Sequence, residues 1–246
     1  SENRIVYKDD PRNADEHLKA AGKPIDYQNR FIAIGNYGSI DDVFNYAQTA
    51  INGTTASQVI PGDLIYIDFN GDGIINSNDK VVVDELNYPL TTIGFSFGFN
   101  WKGLNFSAML YSPRNIYKLQ FDQYLWDFPA SNIRVQPKSM ERWTPETANS
   151  SGVMRPATHL NNTYNKVEST YRYSDYSYIR LKNMEIGYTF PKKWLSEAHI
   201  SNLQVYMNGN NLLTFWKGDK RVDPETGGVG SYPIVRTYTL GLRVSF

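Results

Sequence analysis

The densest run of chemistry-bearing residues is Asp68-Phe69-Asn70-Gly71-Asp72-Gly73-Ile74-Ile75-Asn76-Ser77-Asn78-Asp79. Oxygen-bearing side chains stand at its positions one, three, five, nine and twelve, Gly73 stands at six, and Ile74 offers a carbonyl at seven. Hard oxygens at that spacing wrap a calcium-sized cation, and glycine at the sixth position permits the sharp turn. The expected ligand set is Asp68, Asn70, Asp72, the Ile74 carbonyl, Asn76 and Asp79, with calcium or another divalent cation as the only cofactor. Three carboxylates on one short loop repel each other without such a counter-charge. Asp79 stands where an EF-hand carries Glu, and no amphipathic helix flanks the loop on both sides. The competing reading is an Asn/Asp/Gly turn with no ion.

Catalytic signals are weak. His17, His159 and His199 stand far apart in polar surroundings. The carboxylate pairs Asp9-Asp10, Asp41-Asp42 and Asp84-Glu85 are sequence neighbours in loop-like stretches, which reads as solvated charge. No cysteine is present, so thiolate catalysis, disulfides and zinc–cysteine sites are excluded. No nucleophile elbow, phosphate loop or dinucleotide fingerprint occurs. The chain does not read as an enzyme. Its aromatic surplus suits two uses: Trp126, Trp143 and Tyr171, among polar residues, suit contact with a ligand or partner, whereas Trp101, Tyr188 and Phe190, at strand ends, suit an interfacial girdle.

The elements that must position these residues are strands. Ile93, Phe95, Phe97, Phe99 and Trp101 alternate with Thr92, Gly94, Ser96, Gly98 and Asn100, the signature of a strand with one apolar face. Lys102-Gly103 reads as a turn, and Leu104, Phe106, Ala108 and Leu110 then alternate with Asn105, Ser107, Met109 and Tyr111, completing a hairpin over 91–111. Further alternation runs through Tyr178–Phe190, Leu203–Thr214 and the last stretch, where Tyr238, Leu240, Leu242, Val244 and Phe246 form the apolar set. Residues 22–90 and 112–175 read as long, irregular connections, with a short helix expected around Ala14–Ala21. Runs of about 9–11 residues are long enough to cross a bilayer as tilted strands, and connections that alternate short and long are the habit of an outer-membrane barrel.

The chain has 246 residues, 25 basic and 25 acidic, and 41% apolar residues. Zero net charge leaves no electrostatic footprint for nucleic acid. No apolar run approaches the roughly 18 residues of a membrane helix, whereas barrel strands leave overall hydropathy low. Ser1-Glu2-Asn3-Arg4 lacks the apolar core of a signal peptide, so the chain reads as processed or as a piece of something longer. A soluble β-sandwich also alternates, but with shorter connections.

Five segments, in order, resemble the SusC/RagA-like TonB-dependent outer-membrane transporters of Bacteroidetes. They are Pro61-Gly62-Asp63-Leu64 running into Asp68–Ile75; Gly94–Trp101 with Lys102-Gly103-Leu104; Tyr178-Ile179-Arg180-Leu181-Lys182-Asn183 through Gly187-Tyr188; Asn208–Thr214 with Asp223-Pro224-Glu225; and Tyr232-Pro233-Ile234-Val235-Arg236-Thr237-Tyr238 through Phe246. Asn78, where an acidic residue is expected, departs from the pattern, as does Ser174–Ser177.

The resemblance implies an all-β fold: antiparallel transmembrane strands from the C-terminal part of a 22-stranded barrel, with long extracellular loops. Over 1–246 the plug domain is absent. The organisation expected is an extracellular loop region over 22–90 that includes the cation loop 68–79, the hairpin 91–111, a long loop 112–175, and closing strands over 176–246 that end on an assembly-recognised terminal strand. The implied function is part of an importer of oligosaccharides or peptides in the bacterial cell outer membrane. Its implied partners are a SusD-like surface lipoprotein lid, the remaining N-terminal barrel and plug, TonB acting through that plug, and a second SusC–SusD pair. The alternative is a soluble, calcium-stabilised all-β carbohydrate-binding module.

Overall fold

The computed structural model of the chain describes residues 3–10, 14–53, 58–83, 85–120, 137–148, 152–157, 163–216, 223–226 and 232–246. Among them are thirteen strands: β1 (Gln28–Arg30), β2 (Ala33–Asn36), β3 (Gln48–Thr49), β4 (Leu64–Tyr66), β5 (Ile74–Ile75), β6 (Val81–Val83), β7 (Thr91–Trp101), β8 (Leu104–Arg114), β9 (Tyr117–Leu119), β10 (Tyr173–Asp175), β11 (Tyr178–Thr189), β12 (Asn202–Trp216) and β13 (Thr237–Ser245). Two short helices, α1 (Ile40–Asn45) and α2 (Lys192–Leu195), accompany them. The chain divides into two compact units, one from 1–86 and 118–174, the other from 87–117 and 175–246.

The second unit is a five-stranded antiparallel sheet in the order β13-β12-β11-β8-β7. Each strand reproduces an alternating run of the sequence. The β7–β8 hairpin turns through Lys102 at φ 47° and Gly103 at φ 89°. Two consecutive positive φ values define a type I′ turn, whose twist matches that of the flanking strands. In an antiparallel pair, residues directly opposite one another share a face, so the register fixes the chemistry of both faces.

One shift interrupts that register. Between Leu181 and Asn183, β11 carries Lys182 as an extra residue against β8, while β12 advances from Leu213 to Asn210. Asn211 takes a left-handed φ of 55° there, a conformation asparagine tolerates better than most residues. The bulge reverses the parity of β11: Met184, Ile186 and Tyr188 face one way below it, and Leu181 faces that same way above it.

The first unit corrects the reading of 22–90 and 112–175 as irregular connections. Parts of both stretches fold together around a core of Phe31, Tyr37, Val43, Ile51, Val59, Leu64, Tyr66, Ile75, Tyr164 and Val167. Short pairings, β1 with β6, β2 with β4 and β3 with β5, build its frame. α1 begins at a capping box in which the Ser39 hydroxyl accepts from the Asp42 amide and the Asp42 carboxylate from the Ser39 amide. Contacts distant in sequence join the two stretches. Phe31 N donates to Glu168 O and Thr170 N to Phe31 O. Asn165 Nδ2 donates to Asp63 Oδ1 at 2.7 Å, and Leu64 N donates back to Asn165 Oδ1 at 2.9 Å. Period two or 3.6 never develops in segments this short, which is why the pattern concealed them. The helix expected around Ala14–Ala21 is a single 3-10 turn, Glu16–Leu18. Asp10 Oδ2 takes the Ala20 amide that an extended helix would use.

Candidate functional site

The sheet has two chemically opposite faces. Following the register from β7 to β13, one face carries Phe95, Phe97, Phe99 and Trp101, then Leu110, Ala108, Phe106 and Leu104, then Leu181, Met184, Ile186 and Tyr188, then Leu213, Met207 and Val205, then Tyr238, Leu240 and Leu242. The other carries Gly94, Ser96, Gly98 and Asn100, then Met109, Ser107 and Asn105, then Asn183, Glu185 and Gly187, then Asn210, Asn208 and Tyr206, then Thr237, Thr239 and Gly241. Thirteen large apolar side chains of the five strands are exposed, all on the first face. That is on the order of 1,000 Å² of apolar surface, where soluble monomers rarely show a contiguous patch above a few hundred. From Ile93 to Trp101 the band runs about 26 Å along the strand at ~3.3 Å per residue, within the roughly 9–11 residues that a tilted strand needs to cross a bilayer.

Aromatic rings mark the hairpin end of that band. Trp101 is exposed there, Tyr188 packs edge-on against Phe190 at 5.2 Å, and Phe190 meets the exposed Trp194 of α2 at 6.2 Å. The terminal set Tyr238, Leu240, Leu242, Val244 and Phe246 is exposed throughout. Among the described residues no helix is long and apolar enough to cross a membrane, which says nothing of strands.

The cation loop is organised by its own amides. Asp68 accepts from Gly71 N at 2.8 Å and from Gly73 N at 2.9 Å, one on each carboxylate oxygen. Asp72 Oδ1 accepts from Ile74 N at 2.7 Å, and Asn70 Oδ1 from Asp72 N at 3.1 Å. The Asp72 and Asn70 bonds, each to the amide two residues on, are Asx turns, and every one of these oxygens has a second lone pair beyond the bond it accepts. Asp79 differs. It is fully buried, Oδ1 accepts from Phe69 N and Asn70 N, and Oδ2 accepts from Asn76 N at 2.7 Å. The Ile74 carbonyl accepts from Asn76 Nδ2, and Asn76 Oδ1 accepts from Asn78 N. Asp68, Asn70 and Asp72 thus fit an oxygen-donor set, whereas Asp79 fits a structural bracket that ties the loop's ends together. Among the described residues no three His, Cys, Asp or Glu side chains are grouped to hold a metal.

The proposed aromatic contacts resolve differently. Trp143 is buried, with its ring against Gly62, where a Cβ would stand 2.6 Å from both Trp143 Cε3 and Ala157 Cβ. Gly62 also sits at φ 92°. Tyr171 is half-buried against the first unit's core. The folding of the two long stretches onto each other thus buries the Trp143 ring and covers part of the Tyr171 ring. Trp126, His159 and Asp84 lie outside the described residues. His17 meets Phe69 at 4.6 Å between ring centres, and its Nε2 lies 2.7 Å from the Asn78 carbonyl.

An ionic cluster around the buried Arg180, on the polar side of the sheet, was not anticipated. Arg180 and Lys182 of β11 face Asp223 and Glu225 of the β12–β13 connection. Glu225 titrates below the ordinary glutamate range: burial pushes it up, but hydrogen bonds from Lys182 and Tyr178 and the Arg180 charge outweigh that. Two cations, two and four residues after Tyr178 at the end of a serine and tyrosine run, on a strand otherwise alternating, were the available signal.

Comparison with known proteins agrees with the two-faced sheet. The chain is 33% identical over 218 residues to TonB-dependent receptor P26 of Formosa agariphila and 28% identical over 200 residues to TonB-dependent receptor P3 of the same organism. These alignments cover 79% and 76% of this chain. The resemblance to SusC/RagA-like TonB-dependent receptors is borne out. TonB-dependent receptor SusC of Bacteroides thetaiotaomicron is 24% identical over 194 residues, 76% of this chain. The chain spans about a fifth of the length of these curated relatives, 18–20% of each. Among solved structures, the RagAB peptide importer in its closed-closed state matches with a TM-score of 0.62 at 20% identity, over 93% of this chain and 24% of that one. The open-open state matches at 0.60 and 21%, over 89% and 22%. These likenesses show the fold: antiparallel strands of a transmembrane β-barrel. No family model matches the chain.

Proposed function

We propose that this chain is the C-terminal barrel portion of a SusC-like importer in the bacterial outer membrane, with its apolar face against lipid and its polar face lining the passage. The observation that carries the reading is the register-coherent separation of the two faces across all five strands. A soluble carbohydrate-binding module would leave thirteen large apolar side chains in water. The long connections then leave on the outer side and the Lys102-Gly103 turn on the periplasmic side. The protein moves cargo without catalysing a reaction. Oligosaccharides and peptides are both proposed cargo, since the relatives include SusC and the RagAB peptide importer. A SusD-like lipoprotein partner, a plug contacted by TonB and pairing of two such complexes belong to the same proposal. Fractionation of cells expressing the full-length protein tests it: recovery with the outer membrane, extractable only by detergent, is expected, and recovery as a soluble species refutes it.

A structural calcium ion at Asp68, Asn70 and Asp72 is proposed as well, with Asp79 outside the donor set. Millimolar calcium should then slow amide exchange in 68–76, and an Asp68→Asn, Asp72→Asn variant should not respond. Equal exchange in calcium and chelator in the parent protein would leave the loop as a turn alone.

A further inference from the structure

The ionic cluster on the polar side serves neither the apolar band nor the cation loop. It lies at the end of the sheet opposite the Lys102-Gly103 turn, since Arg180 pairs across to Tyr111 near the end of β8 and to Thr214 near the end of β12. Arg180 is 1% exposed. Its Nη2 meets Asp223 Oδ2 at 2.8 Å, its Nη1 lies 3.1 Å from Glu225 Oε1, and its Nε donates to Thr214 Oγ1 at 2.9 Å. Lys182 Nζ reaches Glu225 Oε2 at 2.7 Å and lies over the Tyr111 ring. The Tyr178 hydroxyl donates to Glu225 Oε1 at 2.6 Å.

The bulge makes this convergence possible. Without the extra residue, strand alternation would place Arg180 and Lys182 on the same side as Met184 and Ile186, in the apolar band. With it, two cations face the polar side and find two carboxylates.

The acid-bearing segment is also shaped to fit. Glu225 N donates to Asp223 Oδ1 at 2.9 Å, the Thr226 hydroxyl donates to the Asp223 carbonyl at 2.9 Å, and Pro224 between them is buried. Buried ion pairs recover little beyond their desolvation cost, so their attested benefit is fixing one arrangement among several. Two cations against two anions, reached through a bulge and a pre-turned tripeptide, match that use.

We propose that Asp223–Thr226 is a strap, which Arg180, Lys182 and Tyr178 hold against the polar face of the sheet. That this face lines a passage rests on the transporter reading; the strap itself rests only on the sheet. Its consequence is local: these four residues narrow the polar side at this end, and their carboxylates neutralise a cation pair that would otherwise be bare.

The test uses the full-length protein in outer-membrane preparations, with a cysteine introduced as Thr226→Cys and labelled by a membrane-impermeant maleimide. The 246 residues here contain no cysteine of their own. Labelling should be slow beside a Tyr232→Cys control, whose site is largely exposed. Adding Lys182→Glu should speed it by about tenfold or more, as expected for losing charge-assisted bonds that hold a segment down. Lys182→Arg, which keeps a cation opposite Glu225, should leave labelling slow, a difference that general damage from substitution at this position would not produce. Labelling as fast as the control in the parent, no acceleration in Lys182→Glu, or equal acceleration in Lys182→Arg would each overturn the strap. Failure of the transporter reading would appear separately, as absence from the outer membrane, because labelling is read on the protein wherever it fractionates.

Discussion

Phe97 sits midway between Ile93 and Trp101 on the apolar face, with its ring 5.7 Å from both Phe95 and Phe106, and Ser96 beside it points to the polar face. Replacing each by arginine asks which face meets lipid. Phe97 is 44% exposed in the sheet, which for an aromatic side chain is about 90 Å² and about 2 kcal/mol of transfer into hydrocarbon. Arginine at the middle of a lipid-facing band costs a further ~2–4 kcal/mol. Phe97→Arg should therefore lose about 4–6 kcal/mol, roughly a thousandfold or more in the folding equilibrium, while Ser96→Arg should stay within ~1 kcal/mol. The assay is urea titration of the full-length protein folded into phospholipid vesicles, read by the gel shift of the heat-resistant folded form. Equal tolerance of the two substitutions, or greater sensitivity at Ser96, would refute the assignment of faces.

Gly62→Ala should destabilise the first unit by about 2–3 kcal/mol, because its Cβ meets Trp143 and Ala157 at a positive φ; limited proteolysis of the full-length protein measures this, and Trp143→Leu in the same chain should recover part of the loss. Asp79→Asn should cost about 2–4 kcal/mol, since an amide cannot accept all three backbone N–H groups that the carboxylate takes; hydrogen exchange at Phe69 and Asn76 should accelerate equally in calcium and in chelator. Tyr37, Tyr66 and Tyr164 all titrate above the ordinary tyrosine value, with burial the leading cause. Because the folded state holds these protons more tightly, the associated stability is complete below pH about 10 and is lost as pH rises beyond it, so tyrosine ionisation followed at 295 nm should coincide with unfolding of the first unit, and Tyr66→Phe should move that transition to higher pH.

The long strands were legible because a lipid-facing sheet writes its pattern at every second residue, from Ile93 to Trp101 as from Tyr238 to Phe246. The bulge at Lys182 was not legible: it changes parity by one residue, and nothing in Leu181-Lys182-Asn183 differs from an ordinary strand until its partners are known. The first unit escaped for a related reason. Its core residues, such as Tyr37, Tyr66 and Tyr164, are separated by turns and short pairings, so neighbours in space are distant in sequence and no window holds a period. In the loop from Asp68 to Asp79 the spacing predicts a cation ligand at the twelfth position, but a buried carboxylate such as Asp79 can be satisfied as well by three amides, and spacing does not distinguish the two. Trp143 shows the same limit in reverse, since a tryptophan among polar residues reads as a surface ring until the glycine that makes room for it is found eighty-one positions away.

The free edges of the sheet carry the last step. β7 and β13 each pair on one side only among the described residues, and their alternating apolar sets lie in the band assigned to lipid. In hydrocarbon an unpaired strand edge leaves a row of amides and carbonyls without water, at several kcal/mol for each group, so only a closed sheet is viable there. Neither edge carries the devices that protect exposed edges in water: β7 has no charged residue from Thr91 to Trp101, and β13 has only Arg243, which turns to Gln204 on the polar face. Two long edges with a single charge between them, bounding a sheet whose relatives are about five times longer than this chain, are what closure by further strands requires. Close packing of the paired strands also explains glycine on the polar face: a Cβ at Gly241 would stand 2.4 Å from Tyr206 Cζ and one at Gly98 would stand 2.8 Å from the Phe106 carbonyl oxygen, so neither position has room for a side chain.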